Sequence, residues 1–215
     1  MHGLSLFGIM AARKRRIDRK RYAHMAAALA FYGLTMTTVD SGFIGDWVKG
    51  KCGGEERWDI KTLTDQPGRQ LNVDMAIPSS IAELAQLAPD FDPRHTPTRQ
   101  PMERQLYTIE CTIEKVIKED DEDLHLVLSD GHRTMVGEIV CPFCDEAAQS
   151  GRKTLFKNVF SFFNPFRAKK AYKRYRWSVT GVAFEDFSHG QTGMAPNCVE
   201  LHPIVDIHPL DTNTP

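Results

Sequence analysis

The sequence predicts a mainly β protein: a small five-stranded barrel with one helix, behind a loop-rich N-terminal extension. Two observations carry this. Five segments between residues 107 and 210 are rich in β-branched or alternating apolar residues and are separated by turn signals. One helical segment lies among them, between the third and the fourth. Short strands with a helix in that place follow the order of the OB-fold, a partly open Greek-key barrel. The chain has 215 residues, 41% hydrophobic and 26% charged, enough for one domain with a real core plus appendages.

Residues 1–40 stand apart by charge. The chain's net charge is −1, yet these residues carry seven basic side chains (Arg13, Lys14, Arg15, Arg16, Arg19, Lys20, Arg21) against Asp18 and Asp40. The basic run precedes a short apolar stretch over 23–36. That is the layout of an export signal, with the positive residues on the cytoplasmic side. The stretch is shorter than the roughly 20 apolar residues of a stable span, which favours a cleaved signal over an anchor. An amphipathic helix with a basic leader in a cytosolic protein is the alternative. The expected location is the periplasm or cell envelope, exported or membrane-tethered.

Residues 41–106 read as a loop-rich extension. Gly53-Gly54 and Pro67-Gly68 are turn signals, with a short segment anchored by Trp58 between them. Residues 78–87 suit a short helix capped by Ser79 or Ser80, since Ile81, Leu84 and Leu87 recur every three positions. Residues 90–101 hold three prolines and predict an extended linker.

The barrel occupies 107–210. In its first strand, 107–118, Ile109, Cys111 and Ile113 share one parity and Thr108, Glu110, Thr112 and Glu114 the other. A period of two marks a half-buried strand, and the parity shift at 115–117 marks a bulge. Residues 119–123 form an acidic turn, 124–128 the second strand, 129–131 a turn and 134–140 the third strand. A helix is expected over 145–163, with Leu155, Val159, Phe162 and Phe163 on one face. The fourth and fifth strands are 177–184 and 198–207. OB barrels bind ligands on strands two and three, between the loops joining strands 1–2 and 4–5.

The strand 4–5 loop is therefore the first candidate site. Gly190 and Gly193 permit backbone geometry that other residues resist, and His189, Gln191, Thr192 and Asn197 offer polar contacts. The competing reading is a loop whose side chains cap its own backbone. Glu200 and His202 share one face of the fifth strand and, with His189, suit acid–base chemistry or half a zinc site. Alternatively, His202 simply holds the loop. His125 stands on the expected binding face of strand two. The acidic turn suits Ca²⁺, which takes several oxygen ligands, or is a solvated hairpin tip. No cofactor is expected, with Ca²⁺ or Zn²⁺ as the alternative.

Two further motifs carry chemistry. Cys141-Pro142-Phe143-Cys144 follows a strand and precedes a helix, where a thiol–disulfide motif belongs. In an exported chain a structural disulfide is the stronger reading, and the five cysteines (52, 111, 141, 144, 198) leave its pairing open. Residues 152–176 carry nine basic side chains and no acid, interleaved with Phe156, Phe160, Phe166, Tyr172 and Tyr175. Such a patch suits a polyanion: an anionic lipid surface, or single-stranded nucleic acid. The acidic turn disfavours an oligonucleotide across the cleft. Alternatively, the phenylalanines pack on the barrel and the lysines are solvated.

Three blocks form a further pattern: Glu56-Arg57-Trp58-Asp59-Ile60-Lys61-Thr62, the strand from Asp123 to Asp130, and His189-Gly-Gln-Thr-Gly running on to Glu200-Leu-His-Pro203. Over about residues 52–207 the chain resembles a family of largely uncharacterised bacterial proteins, many with export signals. The resemblance implies the fold and the location and brings no reaction with it. The expected function is a cell-envelope binding or structural module, with its ligand site at the strand 1–2 and strand 4–5 loops. A metal-dependent nuclease-like hydrolase is the alternative, and a Cys-x-x-Cys thiol oxidoreductase a third reading.

Overall fold

A computed structural model describes residues 15–16, 52, 57–144, 147 and 150–210. The signal or anchor expected over 1–40 lies outside these, apart from the backbone of Arg15–Arg16 (β1). The turn at Gly53-Gly54 lies outside them too. Among the described residues, no helix is long and apolar enough to cross a membrane.

The remaining strands are β2 (Met75–Pro78), β3 (Leu106–Lys118), β4 (Leu124–Ser129), β5 (Thr134–Ile139), β6 (Arg176–Glu185) and β7 (Val199–Pro209). The sheet runs β1-β2-β3-β4-β5-β7-β6, and β6 also pairs with β3. That last pairing closes β3-β4-β5-β7-β6 into the expected five-stranded OB-like barrel. β5 and β7 run parallel, joined at Gly137 and Leu201, and the other barrel pairs are antiparallel. β2 is a sixth strand, parallel to the start of β3.

The strand β3 does double duty. Its first half pairs with β2 on one edge and β6 on the other, and its second half pairs with β4. The register shifts between Ile113 and Lys115, the bulge that the parity change predicts. Ile109, Cys111 and Ile113 are buried, while Glu110, Thr112 and Glu114 are exposed.

The one long helix among the described residues, α4 (Lys153–Ala168), starts later and runs further than expected. Gly151 sits at φ +73°, in the left-handed region that ends a helix path. The helix begins just after it, and Ser150 Oγ accepts from the Arg152 amide at 3.0 Å. At its far end Phe166 prolongs the buried stripe of Phe156, Val159, Phe160, Phe162 and Phe163 past Pro165. From Val159 onward the stripe packs on the core beside Tyr172 and Trp177, while Phe156 packs in a second cluster with Leu63 and Val205.

Among the described residues the extension contributes three single-turn helices: α1 (Trp58–Lys61), α2 (Gln66–Arg69) and α3 (Ile81–Leu84). Ser80 caps α3, its Oγ accepting from the Glu83 amide at 3.2 Å. The expected linker is pinned rather than free. Arg99 is 4% exposed; it donates twice to Asp65 (2.8 and 2.9 Å), and to the carbonyls of Ile60 (2.6 Å) and Glu103 (2.8 Å). Arg57 pairs with Glu103 at 2.6 Å, also buried. The buried Arg99 guanidinium needs such saturation of its donors.

β4 and β7 are buried on both faces. Successive side chains of a strand alternate faces. Leu124, Leu126 and Leu128 belong to the main core. His125 and Val127 take the opposite face, which the extension and the 186–197 loop cover.

Candidate functional site

Under that cover the sequence brings together six ionisable side chains: Lys61, Asp123, His125, Glu138, Glu200 and His202. The β4–β5 ladder sets His125 opposite Glu138. Their side chains meet, with Nδ1 3.3 Å from Glu138 Oε1. From β7, His202 Nδ1 lies 2.9 Å from Glu138 Oε2 and 3.0 Å from Glu200 Oε1. Asp123 enters from the end of the acidic turn. Glu122 adopts φ +78° there, and Asp123 is fully buried, its Oδ1 accepting from the Cys141 amide at 2.7 Å. Its Oδ2 faces His202 Nε2 at 3.6 Å, and neither atom has a hydrogen-bond partner.

Lys61 comes from the extension. α1 holds it in place through buried Ile60, whose carbonyl receives Arg99. Its ammonium lies 3.6 Å from Asp186 Oδ2 and 5.3 Å from the centre of the Phe184 ring. Phe184 in turn packs on the His202 ring.

Burial and charge act against each other here. Burial works against the Lys61 charge, but Glu200, Asp186, Glu138 and Asp121 outweigh it and hold the ammonium above the usual lysine range. Burial likewise opposes the His202 charge, and Glu138 overcomes it, raising the imidazolium to about 10. Glu138 would be pushed up by burial, yet His202, His125 and Lys61 hold it well below the ordinary carboxylate range. Asp123 is pushed well above that range, by burial and by Asp121. Glu200 is raised by burial and by Glu138. The set therefore holds charge unevenly: Glu138 is a firm anion, while Asp123 and Glu200 retain protons more readily.

The expected site residues divide into two groups. His125, Glu200 and His202 are in the cluster. The loop residues serve the loop. Asn197 Nδ2 donates to the carbonyls of Leu84 (2.9 Å) and Leu87 (3.0 Å), tying the loop to α3. Gln191 donates to Asp186 Oδ2 at 3.1 Å and accepts from the His189 amide at 3.1 Å. His189 is exposed, its Nδ1 2.9 Å from the Phe187 carbonyl, and it stands apart from His202's partners. Thr192 offers its carbonyl, 2.8 Å from His125 Nε2. The histidine that holds the loop is thus His125, not His202.

Other expectations change as well. The acidic turn is solvated only in part: Asp120 is exposed, whereas Glu122 and Asp123 are buried. Cys144 is bonded to Cys52, and Cys141 is a buried free thiol, so the Cys-x-x-Cys pair forms no disulfide of its own. Burial pushes the Cys141 thiol up to about 11, away from thiolate reactivity. In the basic segment, Phe156, Phe160, Phe166, Tyr172 and Trp177 are buried, which removes them as stacking platforms; Lys153, Lys157, Lys169, Lys170, Lys173, Arg174 and Arg176 are exposed.

Lys61 and Glu138 are the members that sequence reasoning missed, and Asp123 was read only as part of the acidic turn. Glu138 had a usable signal: one hairpin turn places it across from His125.

The fold and site together define an OB-like barrel with an ion-pair cluster sealed beneath its strand 4–5 loop. No family model and no curated protein matches the chain. Among solved structures, one similar chain is assigned as an aspartyl-tRNA synthetase from Leishmania major Friedlin. It is 11% identical, with a TM-score of 0.36, over 65% of this chain and 22% of that one.

Proposed function

We propose that the chain is an exported binding module of the cell envelope, whose ligand site is the barrel end between the 119–123 turn and the 186–197 loop. One observation carries the reading: Lys61, Asp123, His125, Glu138, Glu200 and His202 come from separate elements and converge where OB barrels take ligands. A barrel needs no such group for stability, because apolar residues of similar volume usually serve as well or better. Glu119 reaches the edge of the cluster, 3.4 Å from His125 and 40% exposed, so the acidic turn is where the sealed cluster comes nearest to solvent. The Cys52–Cys144 disulfide supports export, since such bonds persist in oxidising compartments. The exposed basic face of α4 and the turn after it suits an anionic surface.

A metal-dependent hydrolase is the second reading. It is favoured by three buried groups with metal-ligand chemistry, Asp123, Glu138 and His202, close together beside the Lys61 cation.

Fractionation of cells expressing the full chain tests the location, with thiol trapping to report the state of Cys52 and Cys144. Recovery in the envelope or periplasm with both cysteines oxidised is expected. Recovery wholly in the cytosol with both reduced removes the envelope reading. A labelled single-stranded oligonucleotide, incubated with the purified protein and Mg²⁺ or Ca²⁺, should stay intact. Metal-dependent cleavage moves the function to the hydrolase.

A further inference from the structure

We propose that Asp123 and His202 hold a divalent transition-metal cation of the zinc class, with Glu138 orienting the imidazole from behind. The inference rests on the reading of this barrel end as the ligand site, and it names what occupies the bottom of that site.

The geometry leaves a place for an ion. One ligand atom from each of the three residues lies within 4.8 Å of the others. His202 Nε2 and Asp123 Oδ2 are both fully buried, both without a hydrogen-bond partner, and 3.6 Å apart. That gap is too long for a good hydrogen bond. It is close to the separation of two ligands on one tetrahedral ion, roughly 3.3–3.5 Å for bonds of about 2.0–2.2 Å. An orphaned buried donor or acceptor costs about 1–3 kcal/mol, and two facing each other call for a common partner.

The remaining contacts orient the imidazole. Glu138 Oε2 and Glu200 Oε1 both take up Nδ1, at 2.9 and 3.0 Å. A carboxylate on one ring nitrogen directs the other toward a metal and raises its basicity. Asp123 is fixed from behind by the Cys141 amide on its other oxygen.

The donor set selects the ion class. Imidazole nitrogen suits zinc, copper, iron and nickel, whereas Ca²⁺ asks for six to eight oxygens. A buried imidazole beside a carboxylate fits the first group.

The test is a titration of the chelator-treated full chain with Zn²⁺, and with Co²⁺ as a spectroscopic probe. Binding of one ion per chain is expected, with Asp123→Asn and His202→Gln each weakening it by about 100-fold or more. That exceeds the 10–100-fold typical of a carboxylate that only orients a ligating histidine. X-ray absorption on the zinc-loaded wild-type chain should show nitrogen and oxygen neighbours with imidazole scattering. This readout stands even if a variant does not fold. Absence of Zn²⁺ and Co²⁺ binding overturns the proposal, as does unchanged affinity in both variants. A sulfur-containing first shell, from the free cysteines, overturns it too. Any of those results removes the ion alone, because the module reading is judged on fractionation and on the oligonucleotide.

Discussion

His202 Nδ1 stands 2.9 Å from Glu138 Oε2, and Glu138 Oε1 turns the other way to His125 at 3.3 Å. One carboxylate on β5 thereby joins two histidines from the strands on either side of it. All three are almost wholly shielded from water. Removing the carboxylate takes the shared partner from two buried imidazoles and leaves them Glu200 and the part-exposed Glu119, and breaking a buried ion pair is costly.

The Glu138→Ala variant is therefore expected to lose about 3–5 kcal/mol of folding stability. Denaturant unfolding at neutral pH measures it. A loss under 1 kcal/mol would mean that the two imidazoles are already neutral in the folded chain, against the direction argued above.

Glu185 governs a separate pH effect. Burial and then Glu103 raise its carboxyl to about 7, with Asp92 and Asp90 adding to the rise and Arg57 opposing it. A carboxyl raised on folding holds its proton longer in the native chain than in the unfolded one. Its contribution is therefore most favourable below the ordinary value of 4.5 and declines as pH rises from there to about 7. Glu185→Gln should gain stability relative to wild type across that window, with the difference level above it. Parallel unfolding curves at pH 5 and pH 8 decide the matter, and an equal difference at both speaks against the assignment.

Asn197 ties the 186–197 loop to α3. Asn197→Ala strands two carbonyls in a partly buried place, at an expected cost of about 1–3 kcal/mol. Gly193 supports the same loop from the other side. It has φ +86°, and an added Cβ would come within 2.6 Å of Val127 Cγ1. Gly193→Ala should loosen the loop and release the Thr192 carbonyl from His125. Hydrogen exchange of amides 188–197 is the readout; protection equal to wild type in both variants would count against the docking.

The Cys52–Cys144 disulfide closes a separation of 92 residues. In the chain-entropy model a loop of that size contributes about 4–5 kcal/mol. Reduction, or Cys52→Ser, should lower the unfolding midpoint accordingly. Alkylation of the denatured, unreduced chain should modify Cys111, Cys141 and Cys198 alone. Labelling of all five without reductant would exclude the bond.

The barrel was legible because parity is local. Ile109, Cys111 and Ile113 announce β3 and its bulge within ten residues of sequence. The site was legible only in part. His125, Glu200 and His202 stood out as polar residues in apolar strands. Asp123 was hidden among acidic neighbours, since nothing local says which member of a charged turn points inward. Glu138 depends on the hairpin register, and Lys61 on a docking contact more than sixty residues away from its partners. α4 misled because its face extends past a proline at Pro165, usually read as a stop.

The disulfide has one more effect, a topological one. Lys61 belongs to the segment that Cys52 and Cys144 enclose, as do Asp123, His125 and Glu138. A backbone cut anywhere between those two cysteines leaves both fragments in one covalent piece, still threaded through the same barrel. A nicked chain would then migrate as a single band without reductant and as two with it, and the severed ends would still bring their charges to a common point.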